Sequence, residues 1–259
     1  MFIEIKKLSK ISNTSLAVNK ISFVLDKNKT LGMLGPNGCG KTTTIGMILG
    51  LVSPSEGEIL IENKNINEFK RDEILKRFNF ASPYVELPKK LTVLQNLEIY
   101  GRLYGIENLN YRINEISSDL DIKNFFNKKT GELSSGQKNR VSLAKSLINK
   151  PEILLLDEPT ASLDPDIGDF VREYLEKYKN KNELTMLLAS HNMKEVERLC
   201  NSYRVGFACH SDTNLQFFDA MRLLLTDNVL NNDMRNNAYE LYEEILVFLA
   251  ILWQKQIDF

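Results

Sequence analysis

The stretch Gly35-Pro-Asn-Gly-Cys-Gly-Lys-Thr42 decides the fold class of this chain. It fits the pattern G-x-x-x-x-G-K-[ST], in which glycines let the backbone wrap closely and point successive N–H groups inward. The residues before it, Thr30–Leu34, are predicted to form a strand, and residues 41–51 are predicted to form an apolar helix. A strand, a glycine-rich turn and a helix in this order predict a loop that holds a phosphate group at the positive end of the helix.

Two side chains of this loop have a predicted chemical role. Lys41 can neutralise the β- and γ-phosphates of a nucleotide, and the hydroxyl of Thr42 can bind Mg²⁺. The alternative to a phosphate-binding loop is a glycine-rich turn that occurs by chance. Cys39 is interpreted as a small filler, although a thiol at this place could also be alkylated. The predicted nucleotide-binding residues of the loop are Gly35, Pro36, Asn37, Gly38, Cys39, Gly40, Lys41, Thr42 and Thr43.

A pair of carboxylates follows an apolar run later in the chain. The run Ile153–Asp157 is predicted to be a central strand, so that Asp157 emerges at its carboxyl end, where ligands of such sheets bind. An acid there can hold the magnesium water shell, and Glu158 can orient and deprotonate an attacking water. The alternative is that the two acids only cap the loop before Pro159.

The order of the predicted elements indicates an α/β fold. Shorter strands are predicted at residues 3–5, 21–25, 58–62 and 77–81, and the continuous apolar runs at 153–157 and 184–190 are each followed by a helix. Continuous apolar strands that alternate with helices predict a parallel sheet covered on both faces. Between them lies a mostly helical block, in which Thr92 can cap a helix with apolar residues at helical spacing.

Composition limits the classes of function. The net charge of −1 disfavours a nucleic-acid partner, which usually selects for a basic excess. Three cysteines are too few and too irregular for a disulfide framework or a zinc cluster, which favours a reducing compartment. The start of the chain lacks the pattern of a secretory signal. The longest apolar run, residues 245–253, is far shorter than the roughly 20 residues of a spanning helix, so we expect a soluble chain that reaches a membrane only through a partner.

Several motifs occur in one order, and together they resemble a known family. They are the phosphate loop, Leu133-Ser-Ser-Gly-Gln137, the LLLDEP stretch that ends at Pro159, the D-loop Ser162-Leu-Asp164 and Ser190-His191. This order resembles the nucleotide-binding domain of an ABC ATPase, and within that family it is most similar to the ATP-binding subunits of ABC transporters. The stretches SPYVELP and MLLASHNMKEVERLC are similar to bacterial export-type subunits.

The resemblance implies a fold and a domain organisation. The fold is a P-loop NTPase (RecA-like) parallel sheet core with a helical insertion subdomain at about residues 84–150. Residues 1–200 form the nucleotide-binding domain. Residues 201–259 form a divergent segment with one strand and helices, read either as a helix packed on the body, as a surface for a partner or membrane, or as a rearranged coding end.

The resemblance also implies roles for residues. ATP and Mg²⁺ are the expected cofactors, Thr42 and Asp157 the metal-binding residues, and Lys41, Glu158 and His191 the catalytic residues, with His191 contacting the γ-phosphate. Ser134, Ser135, Gly136 and Gln137 bind the γ-phosphate held by a second nucleotide-binding subunit, in a homo- or heterodimer. Asp164 lies at that dimer interface; without the resemblance it reads equally well as a helix N-cap before Pro165.

At the level of function, the resemblance implies an ATPase that powers a separate transmembrane permease, docked near residues 82–104 at the cytoplasmic face of the cell membrane. Export is the expected direction, and no nucleic-acid partner is expected. The rival hypotheses are a non-transport ABC ATPase that acts on ribosomes or DNA, and a pseudo-ATPase that serves only as a binding partner. The absence of a long coiled coil and of zinc cysteines argues against the first rival, and the intact motif residues argue against the second.

Two positions depart from the family pattern. Ser12 stands where an aromatic residue usually stacks on adenine, which predicts weaker nucleotide affinity. Pro83 stands where a glutamine usually binds magnesium and contacts the membrane partner, and the neighbouring Ser82 could supply a hydroxyl instead.

Overall fold

The computed structural model describes residues 2–12, 15–35, 37–83, 85–161 and 163–200. The strands of this part of the chain are β1 (Ile3–Ser12), β2 (Ser15–Leu25), β3 (Thr30–Leu34), β4 (Glu56–Ile61), β5 (Lys64–Asn65), β6 (Phe78–Ala81), β7 (Ile153–Asp157) and β8 (Thr185–Ser190). Its α-helices are α1 (Lys41–Ile48), α2 (Arg71–Arg77), α3 (Val93–Leu103), α4 (Leu109–Asp119), α5 (Ser135–Leu147), α6 (Pro165–Asn182) and α7 (Met193–Leu199).

A parallel sheet with the strand order β3-β8-β7-β6 forms the centre of the fold, as the apolar runs predict. In its register, Leu34 of β3 lies beside Ser190 of β8, and Asp157 of β7 lies beside Ala189. The carboxyl ends of three neighbouring strands therefore meet at one edge. In an open parallel sheet this is the edge where ligands bind.

Strand β7 is buried on both faces, which explains its continuous apolar sequence. Leu154 and Leu156 belong to one hydrophobic cluster with α5 and α6, whereas Ile153 and Leu155 belong to a second cluster with α1 and the amino-terminal strands. Because successive side chains of a strand point to opposite faces, one strand contributes to both cores. The prediction of a sheet covered on both faces is confirmed.

A second sheet is antiparallel, with the strand order β2-β1-β4-β5. Ile3 of β1 pairs with Leu25 of β2 on one side and with Ile61 of β4 on the other. The sequence predicts three of these strands, but as shorter segments, and it does not predict their separation into a sheet of their own. Pairing of β1 with β2, and of β1 with the more distant β4, extends β1 and β2 well beyond the apolar residues that indicate them.

The segment before β6 differs from its prediction. Residues 77–81 are predicted to form a strand, but Arg77 is the last residue of α2, and the strand begins at Phe78. The guanidinium of Arg77 pairs with Glu62 at 3.1 Å and with Glu152 at 3.0 Å. Tertiary ion pairs therefore hold the helix end against the sheet.

The helical block after β6 begins with the predicted cap. The hydroxyl of Thr92 accepts a hydrogen bond from the N–H of Gln95, whose side chain accepts one from the N–H of Thr92, and this reciprocal pair starts α3. Val93 and Leu97 of α3 are buried in the same cluster as Leu154 and Leu156 of β7. The boundary of a helical insertion at about residues 84–150 stays a prediction.

Residues 201–259, with the predicted strand at 203–209 and the apolar stripe between Ala238 and Leu252, lie outside the described residues. Within the described part of the chain, none of the helices combines the length and the apolar character that crossing a membrane requires.

Candidate nucleotide-binding site

The glycine-rich loop connects β3 to α1, as its sequence predicts. Gly38 and Gly40 adopt left-handed backbone conformations, with φ of 84° and 94°, which residues with a side chain rarely adopt. The N–H of Gly35 donates to the carbonyl of Ser190 at 3.3 Å, so the start of the loop is fastened to the end of β8. Asn37 and Gly38 are exposed, whereas Pro36 lies outside the described residues.

Cys39 fills the inside of this loop. A Cβ atom added to Gly35 would lie 2.6 Å from the Sγ atom of Cys39, so the buried thiol occupies the space that any side chain at position 35 would need. Burial raises the pKa of the Cys39 thiol, an effect that the charge of Lys41 opposes. A buried, protonated thiol is a weak nucleophile, which favours the packing role over alkylation.

Lys41, Glu158 and His191 form a chain of charged contacts at the sheet edge. The Nζ atom of Lys41 donates to the carbonyl of Gly35 at 2.6 Å and lies 3.5 Å from Oε1 of Glu158. The Nδ1 atom of His191 lies 2.7 Å from the other oxygen, Oε2, of the same carboxylate. Glu158 is buried and His191 is half exposed, so the histidine forms the solvent side of this cluster.

Thr42 and Asp157 form the second contact of the site. The hydroxyl of Thr42, at the start of α1, donates to Oδ2 of Asp157 at 2.6 Å. Burial raises the pKa of Asp157 and the charge of Glu158 raises it further, whereas the hydrogen bond from Thr42 and the charge of Lys41 lower it. The other oxygen, Oδ1, is buried and accepts no hydrogen bond from the described residues.

This donor set fits Mg²⁺. The cation prefers oxygen ligands, and it is usually held by one or two protein groups together with waters and phosphate oxygens. Thr42 and Asp157 supply two neighbouring oxygens, and a buried carboxylate oxygen without a protein donor is the kind of atom that a metal-bound water satisfies. No cluster of three or more His, Cys, Asp or Glu side chains that could hold a metal occurs among the described residues, so a cage of side chains of the zinc type is not found there.

The stretch Ser134–Gln137 lies at the start of a different helix, α5. Its Ser134 and Gln137 form a reciprocal capping pair, in which each side chain accepts a hydrogen bond from the other residue's N–H. The N–H groups of Ser135 and Gly136 belong to the first turn, where no intrahelical acceptor exists. A Cβ atom at Gly136 would lie 2.5 Å from Cδ1 of Ile167, so this glycine allows α5 to pack closely against α6.

The start of α5 and the first cluster make different contacts. Lys41 contacts Gly35 and Glu158, and His191 contacts Glu158, whereas Ser134 and Gln137 bond to each other. Asp164 occupies the N-cap position of α6, but its exposed side chain makes no capping hydrogen bond. Asp164 is therefore at the N-cap position, as the alternative interpretation predicts, but its carboxylate does not cap the helix.

The positions that depart from the family pattern lie in different surroundings. Ser82 is buried, and together with Pro83 it lines a cavity of about 270 Å³ between the segment after β6, the start of α5 and the segment after β7. The backbone of Ser12 ends β1.

Two residues that support the site are missed by the sequence reasoning. The side-chain amide of Asn139 in α5 donates to the carbonyl of Pro159 at 2.7 Å, which fastens α5 to the turn after Glu158. The buried carboxylate of Glu195 accepts hydrogen bonds from hydroxyls on both sides of the site. Asn139 lies two residues after Gln137, and Glu195 lies four residues after His191 in the stretch that resembles export-type subunits, but the sequence assigns neither residue a role.

Comparison with known proteins gives one consistent result. Residues 18–161 match the family model described as ABC transporter. The ABC transporter ATP-binding protein NatA of Bacillus subtilis (strain 168) is 34% identical over 189 residues, which cover 72% of this chain and 76% of that protein. The Nod factor export ATP-binding protein I of Cupriavidus pinatubonensis (strain JMP 134 / LMG 1197) is 32% identical over 201 residues, which cover 77% of this chain and 61% of that protein. The chain spans 61% to 66% of the length of such Nod factor export relatives.

Solved structures show the same fold. A dimeric ATP-binding cassette in a post-hydrolysis state, bound to ADP and Pi, has a TM-score of 0.72 at 25% identity and covers 80% of this chain and 94% of that chain. A dimeric bacterial ABC transporter cassette has a TM-score of 0.69 at 27% identity and covers 76% of this chain and 90% of that chain. The P-loop sheet core that the sequence predicts is therefore confirmed.

Proposed function

This chain belongs to the ABC transporter family, and from that premise we propose that it binds and hydrolyses ATP as the nucleotide-binding subunit of a transporter. One observation carries the proposal. The side chains of Lys41, Thr42, Asp157, Glu158 and His191 come from three separate places in the chain and meet at the carboxyl edge of the parallel sheet. Neither a chance glycine turn nor two acids that cap a loop requires this convergence.

Glu158 is proposed as the general base. Its buried Oε1 atom forms an ion pair with Lys41 but accepts no hydrogen bond from the described residues, and it is the oxygen proposed to take a proton from a water molecule. Contacts with Lys41 and His191 on its two oxygens hold the carboxylate in a single orientation. Its backbone is held by the bond from its N–H to the carbonyl of Ala189 at 2.8 Å, and its φ of 53° is an uncommon left-handed value for a glutamate.

Lys41 and His191 are proposed to stabilise negative charge on the phosphate groups. Lys41 begins α1, so its ammonium and the positive end of the helix act at the same place. His191 approaches from the opposite side of Glu158 and is exposed enough to reach a substrate. Phosphoryl transfer depends mainly on such positioning and charge stabilisation.

Thr42 and Asp157 are proposed to hold Mg²⁺ through their adjacent oxygens. When bound, the cation neutralises phosphate charge and orients the phosphate oxygens. The raised pKa of Asp157 follows mainly from burial and then from the neighbouring Glu158, so a divalent cation would compensate the charge that the fold brings together.

The working unit is proposed to be a dimer. The N–H groups at the start of α5 form an anion site of the helix N-terminus kind, and the exposed Asp164 carboxylate lies free of any capping bond. Both would face ATP held by a second nucleotide-binding subunit. Two of the similar solved structures are described as dimeric, which supports this arrangement.

A transmembrane permease is the proposed membrane partner, which would place the chain at the cytoplasmic face of the membrane. The cavity beside Ser82 and Pro83 continues along Val85, Leu87 and Leu133, and it offers an apolar surface for a segment of that partner. Export is the proposed direction, because similar relatives are named as Nod factor export proteins.

The decisive experiment is ATP hydrolysis by the purified chain with Mg²⁺, together with the variant Glu158→Gln. We expect turnover to fall by about 10³-fold in the variant, because the amide cannot accept the proton of the attacking water. Binding of ATP is expected to remain, because Glu158→Gln keeps the shape of the side chain and leaves Lys41 in place.

The matched control is Glu152→Gln, which changes the exposed glutamate at the opposite end of β7 and should leave turnover within about twofold. Hydrolysis by Glu158→Gln at the rate of the unchanged protein would show that another group takes the proton. Absence of hydrolysis by the unchanged protein, even with its membrane partner, would favour the pseudo-ATPase.

A further inference from the structure

Glu195 is a buried acid outside the set of motif residues. It lies in α7 and its side chain is 1% exposed, although a buried carboxylate is costly unless its oxygens are hydrogen-bonded. Both oxygens have a donor. The hydroxyl of Thr160 donates to Oε1 at 2.5 Å, and the hydroxyl of Ser190 donates to Oε2 at 2.6 Å. These lengths are typical of hydroxyl-to-carboxylate hydrogen bonds.

The directions of these bonds follow from the neighbours of the two hydroxyls. The oxygen of Ser190 accepts a hydrogen bond from the N–H of Asn192 at 3.0 Å, so its own O–H is directed to Glu195. The oxygen of Thr160 accepts one from Nη1 of Arg172 at 3.2 Å, so its O–H is directed to Glu195 as well. Because the two hydroxyls donate to different oxygens of Glu195, both oxygens of this side chain act as acceptors, as they can in a carboxylate.

The two hydroxyls belong to the two segments that carry the proposed chemistry. Thr160 lies two residues after Glu158, and Ser190 directly precedes His191. The Glu195 carboxylate therefore connects the segment after β7 to the end of β8. That contact, 2.7 Å from Nδ1 to Oε2, depends on the relative position of the same two segments.

We propose that Glu195 is a positioning residue that holds His191 against Glu158 by fastening Thr160 and Ser190 to each other. The inference rests on the proposed function, in which Glu158 and His191 act on ATP. Through Arg172, the same set of bonds also reaches α6, the helix that begins after Asp164. Glu195 itself touches no substrate in this proposal.

The variant Glu195→Gln tests whether the site needs two acceptor oxygens at position 195 or only a side chain of this size. The amide keeps the size and reach of the side chain, but it accepts only one of the two hydroxyl bonds and presents N–H groups to the other oxygen. We expect kcat for ATP hydrolysis to fall by about tenfold, at the lower end of the effect of removing a supporting group from a site. KM should stay within about twofold, because the glycine-rich loop and Lys41 are unchanged.

The matched control on kcat is Glu173→Gln. Glu173 is an exposed acid of α6 that pairs with Lys177, and its replacement should leave both kcat and KM unchanged. If Glu195→Gln has the same kcat as the unchanged protein, the inference is wrong and the proposed function stands.

A second variant distinguishes positioning from general support of the fold. In a His191→Ala background, Glu195→Gln should reduce kcat by less than about twofold, because the group that it positions is gone. An undiminished tenfold loss in that background would overturn the inference, since Glu195 would then act on the fold rather than through His191.

The ring-nitrogen NMR chemical shifts of His191 give a readout that does not require turnover. In Glu195→Gln we expect the Nδ1 shift to move toward that of a solvent-exposed imidazole, whereas Glu173→Gln should leave it unchanged. If the unchanged protein shows no hydrolysis, the proposed function fails on that result alone, and the Nδ1 shift still decides whether Glu195 positions His191. An unaltered shift in Glu195→Gln overturns the inference.

Discussion

Two helices of this protein begin with sequences suited to an anion, and their first turns are built differently. Helix α1 begins after Gly40 in a left-handed conformation and has no side-chain cap, so the glycine-rich loop leaves its N–H groups to a ligand. Helix α5 begins with the reciprocal pair Ser134 and Gln137, which uses two of its N–H groups within the protein. The start of α1 therefore has no side-chain cap, whereas two N–H groups at the start of α5 already have a side-chain acceptor.

The side chains around the two helix starts also differ. At α1, Lys41 and Thr42 contact Glu158 and Asp157, so a phosphate group bound there would lie beside a cation, the proposed metal site and the proposed base of the same chain. At α5, the neighbouring groups are Asn139, which fastens the helix to Pro159, and Ile167, against which Gly136 packs. A helix start that is rigidly placed, with no proposed catalytic group among the neighbours named above, is suited to the proposed role of completing a site on another subunit.

The largest test of this comparison removes the charge at α1. Lys41→Met keeps the length of the buried side chain and is expected to weaken ATP binding by about 100-fold, because hydrogen bonds from a charged donor to phosphate are lost. The affinity can be measured by titration calorimetry with ATP and Mg²⁺.

The control for this variant is Lys145→Met. Lys145 is another largely buried lysine, in which burial lowers the pKa to about 8, and it lies over the ring of Tyr100 rather than at the loop. ATP affinity should stay within about twofold in this control. Equal losses in both variants would mean that Lys41 supports the fold and not the phosphate.

A smaller effect is expected at α5. Ser135→Glu adds a negative charge to the first turn, which should leave the helix as stable as before or slightly more so, but would repel a phosphate group of the partner. We expect kcat to fall by about tenfold, a coupling of the size of one charged contact. ATP affinity of the isolated subunit should not change.

The matched change is Asn110→Glu, which adds the same charge to the exposed first turn of α4, where no phosphate is proposed. Sedimentation with ATP should show dimers in Asn110→Glu and fewer dimers in Ser135→Glu. A Ser135→Glu protein that dimerises and turns over normally would contradict the half-site interpretation of α5.

The smallest effect concerns stability. Burial first and the charge of Glu158 second raise the pKa of Asp157 above its value in an unfolded chain, so the ionised carboxylate destabilises the fold at neutral pH. Asp157→Asn removes that charge and keeps an oxygen for the hydroxyl of Thr42. In the absence of Mg²⁺ at pH 7.5, we expect Tm to rise by about 2 °C, as measured by calorimetry, while Mg²⁺-dependent turnover is lost.

Asp169→Asn provides the opposite case, because Arg172 holds the pKa of the Asp169 carboxyl below its usual range. Its replacement should not raise Tm. A Tm that falls in Asp157→Asn would show that the Asp157 charge already stabilises the fold without a metal.

The elements of the parallel sheet could be predicted because their signal is local. The run Ile153–Asp157 is apolar at every position before the acid, which only a strand buried on both faces requires, and its predicted bounds agree with the structure. The antiparallel sheet could not be predicted in the same way. Strand β1 pairs with β2 on one side and with β4 on the other, and Arg77, the last residue of α2, forms ion pairs with Glu62 and Glu152 that exist only in the folded chain.

The site residues also divide into those that local sequence predicts and those that only tertiary contacts identify. Lys41, Thr42, Asp157, Glu158 and His191 lie in short motifs whose spacing is visible in the sequence, and the structure brings them together. Glu195 and Asn139 carry no motif of their own. Their importance depends on which hydroxyl or carbonyl lies within hydrogen-bonding distance, and this cannot be derived from their positions in the chain.

By itself, the sequence determined the class of fold, the family and the phosphate loop, because glycine conformations, apolar strands and adjacent motif residues are local properties. Only the tertiary structure decided that both oxygens of Glu158 are engaged, by Lys41 on one side and His191 on the other. It also decided that the hydroxyls of Thr160 and Ser190 converge on Glu195. Such contacts join residues far apart in the chain, and their geometry is set by how the strands register and the helices pack.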